Sequence, residues 1–273
     1  MNHRIQFGIN RISAPRQTFA DYLAMCKRIG VSAIEIRNDL KGVEISDGTP
    51  AAELKAQAEQ AGIVIRSINA LYPFDVFDAG LEARARSMAA YARACGAQAL
   101  VMCPLNSRDD QRTEAERRRD LVHALRRLRP ILDEYGIEGL VEPLGFEECV
   151  LRRKSDAVEA IYAAAGDRHF KLVHDTFHHH LAGEDIFFPD LTGLVHVSGV
   201  ESAELDARDM RDGHRVLVGE GDRLGNIAQL RTLLDRGYRG LVSFEPFAAE
   251  VMAAENSEAL LAESMHYIHH ALS

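Results

Sequence analysis

Eight short apolar segments rich in β-branched residues recur along the chain, each followed by a stretch with helical periodicity, and this alternation constrains the fold more than any other feature. The segments are 5–10 (IQFGIN), 31–37 (VSAIEIR), 63–70 (IVIRSINA), 97–104 (AQALVMCP), 137–143 (IEGLVEP), 170–175 (FKLVHD), 193–198 (GLVHVS) and 240–246 (GLVSFEP). Several are nearly unbroken apolar runs, the pattern of parallel strands covered on both faces. Between them, Leu81/Ala85/Met88/Ala92, Leu121/Leu125/Leu128/Leu132 and Leu261/Met265/Ile268/Leu272 fall at helical spacing.

Local signals support the same division. Thr113 and Glu116 have capping-box spacing, and Thr49 precedes Pro50 at an expected first helical position. Gly30, Gly62, Gly96, Gly136 and Gly237 each fall between a helical stretch and the next strand, where a left-handed cap is useful. Eight β–α units predict a closed (β/α)₈ TIM barrel. An open doubly wound sheet is the alternative, weakened because no G-x-G-x-x-G follows the first strand. The irregular 176–190 (TFHHHLAGEDIFFPD) is the least helix-like connection. A barrel needs about 250 residues; the chain has 273 with no linker or low-complexity tract, so residues 1–273 read as one domain.

The formal charge of −9 opposes a nucleic-acid surface. No apolar run approaches the ~18 residues of a membrane helix, and MNHRIQFGIN contains no signal-peptide core. Cys26, Cys95, Cys103 and Cys149 are scattered without a C-x-x-C pair, as reduced thiols packed as small hydrophobes would be. A cytoplasmic protein with no nucleic-acid or membrane partner is expected; self-association is left open.

Barrel active sites lie at the C-terminal ends of the strands. The last four predicted strands end in LVEP, LVHD, LVHVS and SFEP, and each supplies one ionisable group: Glu142, Asp175, His196 and Glu245. A charged group ending an apolar strand is costly unless paired or metal-bound. Four on consecutive strands at one height converge in a closed barrel. Three carboxylates and an imidazole suit one divalent ion: Mn²⁺ first, with Mg²⁺, Co²⁺ or Zn²⁺ as alternatives. Buried ion pairs are the bland alternative.

Around this set, His178 follows Asp175 by three residues, so a turn would aim it into the same cavity. His179 and His180 read as exposed or structural, and His174, on the other strand face, as packed under a helix. Arg215 either reaches a substrate oxygen or is a solvated loop residue. Glu35 and Arg37 either line the pocket or pair with each other. G-E-G-D (219–222) lacks the Lys-Ser/Thr of a P-loop and reads as a tight active-site loop; R-R-R (117–119) reads as solvated surface.

In IEIR (34–37), INAL (68–71), VEPLG (141–145), HDTFHHHLAG (174–183), VHVS (195–198), HRVLVGEGD (214–222) and VSFEPF (242–247), the chain resembles the xylose-isomerase-like sugar isomerase/epimerase superfamily. The likeness is closest to its inosose (2-keto-myo-inositol) isomerase branch and spans nearly the whole chain. It departs from that branch at GFEEC (145–149) and at GINRISAP after the first strand. The resemblance implies that Glu142, Asp175, His196 and Glu245 bind the metal and that His178 and Arg215 contact substrate. It also implies an isomerase or epimerase of a keto-inositol or small ketose. Glu142 and Glu245 would then exchange an α-proton through a metal-stabilised enediolate. Inosose dehydratase, hydroxypyruvate isomerase and ketose 3-epimerase are alternatives within that chemistry. An abasic-site endonuclease or a non-catalytic sugar-binding barrel is a more distant one.

Overall fold

A computed structural model describes residues 5–166 and 168–273. Eight parallel strands close into a barrel in chain order, β1 pairing with β8. They are β1 (Gln6–Asn10), β2 (Ala33–Arg37), β3 (Val64–Leu71), β4 (Ala99–Met102), β5 (Glu138–Val141), β6 (Phe170–Asp175), β7 (Thr192–Val197) and β8 (Leu241–Phe244). Each overlaps one predicted segment: β6 coincides with it, β3 and β7 are shifted by one residue, and the others are trimmed at the ends.

Helices α1 (Phe19–Arg28), α2 (Ala51–Ala61), α3 (Ala79–Cys95), α4 (Glu114–Tyr135), α5 (Lys154–Ala163) and α6 (Thr176–Ala182) each follow a strand. α7 (Asn226–Asp235) comes after a long β7 loop, and β8 leads to α8 (Ala249–Ala253) and α9 (Ser257–Leu272). The irregular 176–190 stretch therefore contains one short helix. Thr113 and Glu116 form the expected capping box on α4, a cap worth about 1 kcal/mol. Pro50 is the residue before α2 rather than its first residue, and its φ of −62° suits both positions. All five glycines expected at helix ends have positive φ.

The outward strand faces meet the helices in one large core that includes Ile34, Ile36, Ile68, Leu100, Phe170, Leu172, Val195, Val242 and Phe244. The loop after β5 crosses α6 so closely that a Cβ on Gly145 would collide with the His178 carbonyl oxygen. That glycine lets the loop press on the turn carrying His178. Among the described residues, no helix is long and apolar enough to cross a membrane.

Candidate metal centre

Inward-facing side chains recur every second residue along a strand. Ala33, Val101, Leu140, Val173, Leu194 and Leu241 form an apolar cluster with Ala99. Two residues further along each strand stand Glu35, Cys103, Glu142, Asp175, His196 and Ser243, and Glu245 comes two after Ser243. The barrel thus has an apolar floor and, one layer higher, an ionisable ceiling. Closure of the sheet, not proximity in sequence, brings these groups together.

Glu142, Asp175, His196 and Glu245 are all buried, and one potential ligand atom from each lies within 4.8 Å of all the others. His196 Nδ1 is 2.9 Å from Glu142 Oε1, 3.2 Å from Glu245 Oε2 and 4.0 Å from Asp175 Oδ2. An octahedral ion with bonds of about 2.1 Å separates neighbouring donors by about 3.0 Å and opposite ones by about 4.2 Å. The distances from His196 Nδ1 lie near these values, and three carboxylates with an imidazole are a donor set that a divalent ion takes.

Backbone geometry aims these groups. Asp175 ends β6 and caps α6, its Oδ1 accepting from the amides of Phe177 (2.7 Å) and His178 (3.1 Å). Its Oδ2 remains for the site. The Glu142 amide donates to Met102 O and that of Glu245 to Val197 O, extending the strand pairing to the residues carrying the carboxylates.

The two glutamates differ in surroundings. Glu245 Oε1 accepts from Arg37 Nη1 (2.7 Å) and Asn10 Nδ2 (3.2 Å), and its Oε2 accepts from Arg215 Nη2 (3.1 Å). Burial alone would raise its pKa, but His196, Arg215 and Arg37 hold the carboxyl well below the usual range. Glu142 accepts from the Cys103 thiol at 3.3 Å and from His196, and no guanidinium among the described residues bonds it. Burial opposes charge on His196, yet Glu245, Glu35 and Glu142 raise its pKa well above the ordinary value.

Arg215 is 1% exposed, which rules out the solvated-loop alternative. It bonds Asp175 Oδ2 at 2.6 Å, Ser198 and Asp212 as well as Glu245. Phe247 lies between the Arg37 and Arg215 guanidiniums, 5.1 and 4.7 Å from its ring centre. His178 is buried edge-on to Phe146 and Phe177, and its Nδ1 has no partner. It lines a small cavity with Asp175, Lys154 and Pro143.

Glu35 and Arg37 both face the barrel interior but do not pair with each other. Arg37 grips Glu245 and Asp39, whereas Glu35 meets His196, Ser67 and Asn69. Burial would raise the Glu35 pKa, but His196 brings it down to about 2. His174 packs toward α7 through Gln229, and His179 is buried against Lys154, as structural histidines are. Asn10 and Cys103 were not singled out from sequence; their places in the inward alternation were the available signal.

A family model described as a xylose isomerase-like TIM barrel matches residues 23–269. The chain belongs to this family. A curated relative, the inosose isomerase of Halalkalibacterium halodurans, is 28% identical over 246 residues, covering 87% of this chain and 86% of its own. The solved xylose isomerase domain-containing protein of Salmonella typhimurium LT2 is 32% identical and superposes with a TM-score of 0.90, over 100% of this chain and 98% of that one. The IOLI protein, solved with a bound zinc atom, has a TM-score of 0.87 at 21% identity over 98% of both chains, a likeness of fold.

Proposed function

We propose that this chain is a divalent-metal-dependent sugar isomerase or epimerase acting on a keto-inositol or small ketose, with 2-keto-myo-inositol the favoured substrate. The observation that carries this reading is the convergence of Glu142, Asp175, His196 and Glu245, one potential ligand atom of each lying within 4.8 Å of the others. The inosose isomerase relatives supply the substrate class. When bound, the metal, Mn²⁺ in the first instance, would supply a Lewis acid and template for a carbonyl oxygen and the adjacent hydroxyl.

The remaining chemistry falls to the chain's own side chains. Glu142, which no arginine among the described residues bonds, removes the proton from the hydroxyl-bearing carbon, and the C–H electron pair moves into an enediolate double bond. Glu142 then returns the proton to the former carbonyl carbon while the hydroxyl proton passes to the other oxygen, which exchanges the two positions. Glu245, held by Asn10, Arg37 and Arg215, stays ionised and anchors the site. His178, with its free Nδ1, and Arg215 orient substrate oxygens.

The test is incubation of metal-loaded protein with 2-keto-myo-inositol in D₂O. Deuterium next to the carbonyl and a positional isomer are expected. One-way conversion to an unsaturated diketone with new ultraviolet absorption would identify a dehydratase instead. A thermal shift without exchange would identify a binding module. Absence of exchange, isomer and thermal shift would remove inosose as substrate, leaving hydroxypyruvate and small ketoses to be tried.

A further inference from the structure

His196 has carboxylates on both flanks of its ring. Nδ1 faces Glu142, Glu245 and Asp175, whereas Nε2 lies 3.1 Å from both Oε1 and Oε2 of Glu35. The two ring nitrogens point in different directions, so Glu35 approaches the side away from the cluster of potential ligands. It stands apart from the group of four whose ligand atoms share a 4.8 Å radius.

Glu35 is itself fixed. It is fully buried on β2, and its Oε2 accepts from Ser67 Oγ at 2.6 Å and Asn69 Nδ2 at 2.9 Å, both on β3. Asn69 Nδ2 also donates to Ser67 Oγ at 3.1 Å, which ties the two supports together. Two inward-facing side chains of β3 therefore hold the Glu35 carboxylate of β2 against one imidazole edge. Among the described residues, no hydrogen bond joins Glu35, Ser67 or Asn69 to Glu142, Asp175 or Glu245.

A neutral imidazole carries one proton and offers one lone pair, and the nitrogen that ligates is decided by what the other bonds. A carboxylate is an acceptor only. On the metal-centre reading above, we propose that Glu35 is a positioning residue that holds the His196 proton on Nε2 and so commits Nδ1 to the metal. Ser67 and Asn69 set the carboxylate's orientation and thereby the plane of the ring. This explains a buried glutamate among the inward-facing side chains that is not one of the four donors.

The substitution that isolates this role is Glu35→Gln, which preserves volume. The donors Ser67 and Asn69 keep the amide oxygen at the Oε2 position, so the amide NH₂ is turned toward His196 Nε2. An NH₂ in the Oε1 place, 3.1 Å from Nε2, disfavours a proton on that nitrogen, so the tautomer with its proton on Nδ1, which has no lone pair there for a metal, gains population. A glutamate that merely filled space would be replaced by glutamine without consequence.

The experiment is calorimetric titration of chelated wild-type and Glu35→Gln protein with Zn²⁺, together with ¹⁵N spectra of the histidine side chains and a melting curve for each. Expected is a wild type that binds one Zn²⁺ through Nδ1 with the His196 proton on Nε2. Glu35→Gln should bind at least about tenfold more weakly, the scale for loss of a metal ligand's hydrogen-bond partner, with the proton on Nδ1 in the metal-free form. Should the variant fail to fold, the Zn²⁺-loaded wild type decides alone, since ligation through Nε2 overturns the proposal. A folded Glu35→Gln chain with wild-type affinity and an Nε2 proton overturns it as well. A wild type that takes up no Zn²⁺ overturns the metal-centre reading, and this proposal falls with it.

Discussion

Arg37 Nη1 lies 2.7 Å from Glu245 Oε1, joining β2 to the residue that follows β8 inside the closed barrel, with both side chains less than a tenth exposed. The same guanidinium grips Asp39 at 2.7 Å. Breaking a buried pair by removing one partner costs about 3–5 kcal/mol. Arg37→Ala should therefore lower stability by about that much in chelated protein. Arg37→Lys, which keeps the charge but loses the fork, should be milder. Urea unfolding measures both, and an unchanged midpoint for Arg37→Ala would show that the pair contributes nothing net.

The unequal surroundings of the two glutamates give a second expectation. Glu142→Gln keeps an oxygen donor, so it should bind metal within about tenfold of wild type while turnover falls by about 10²–10⁴. Glu245→Gln leaves Arg37 and Arg215 facing a neutral amide, so metal affinity and melting temperature should fall together. Isotope exchange and calorimetry on the two variants separate the roles. Near-normal turnover in Glu142→Gln would remove it as the base.

Acid sensitivity should come partly from histidines that take no part in the proposed proton transfer. Burial first, and the Lys154 ammonium second, lower the His179 pKa from 6.5 to about 4, and His174 is shifted the same way. The unfolded chain takes up this proton near 6.5 and the folded chain only near 4. The stability that His179 contributes is thus complete above about 6.5, is lost as pH falls toward 4, and changes no further below that. At about 1.4 kcal/mol per pKa unit, its share is about 3 kcal/mol at most. The difference in unfolding free energy between pH 7.5 and 4.5 should shrink in a His179→Gln variant. An undiminished difference would assign the acid sensitivity elsewhere.

None of the four thiols should be reactive in the folded protein. Burial pushes Cys26 and Cys149 up to about 12 and raises Cys95, and burial with the neighbouring Glu142 raises Cys103. Only the thiolate is nucleophilic. At pH 8 iodoacetamide should therefore leave the native chain unmodified and add four groups once it is unfolded, as mass spectrometry would report. Fast native labelling of Cys103 would mean that Glu142 does not hold the thiol protonated.

The fold was largely legible because each strand carried its own apolar signal, and all eight predicted segments overlap a strand. The group of four was legible for a related reason, as each member stands at or just beyond the end of one of the last four strands. Interstrand partnerships were not. Glu35 and Arg37 are two residues apart on one strand, so sequence offered each the other, whereas closure gave Glu35 to His196 and Arg37 to Glu245. Arg215 sits in a polar loop, D-G-H-R, whose composition reads as exposed. Its burial follows from Asp175, Glu245 and Phe247, none of them near it in sequence.

The most direct test is an anomalous difference map from crystals of the Mn²⁺-loaded protein. One peak per chain is expected, about 2.0–2.4 Å from His196 Nδ1 and from one oxygen each of Glu142, Asp175 and Glu245. A map with no peak among those four atoms, or with the ion bound elsewhere while Arg37 and Arg215 keep their carboxylates, would contradict a metal centre at the strand ends.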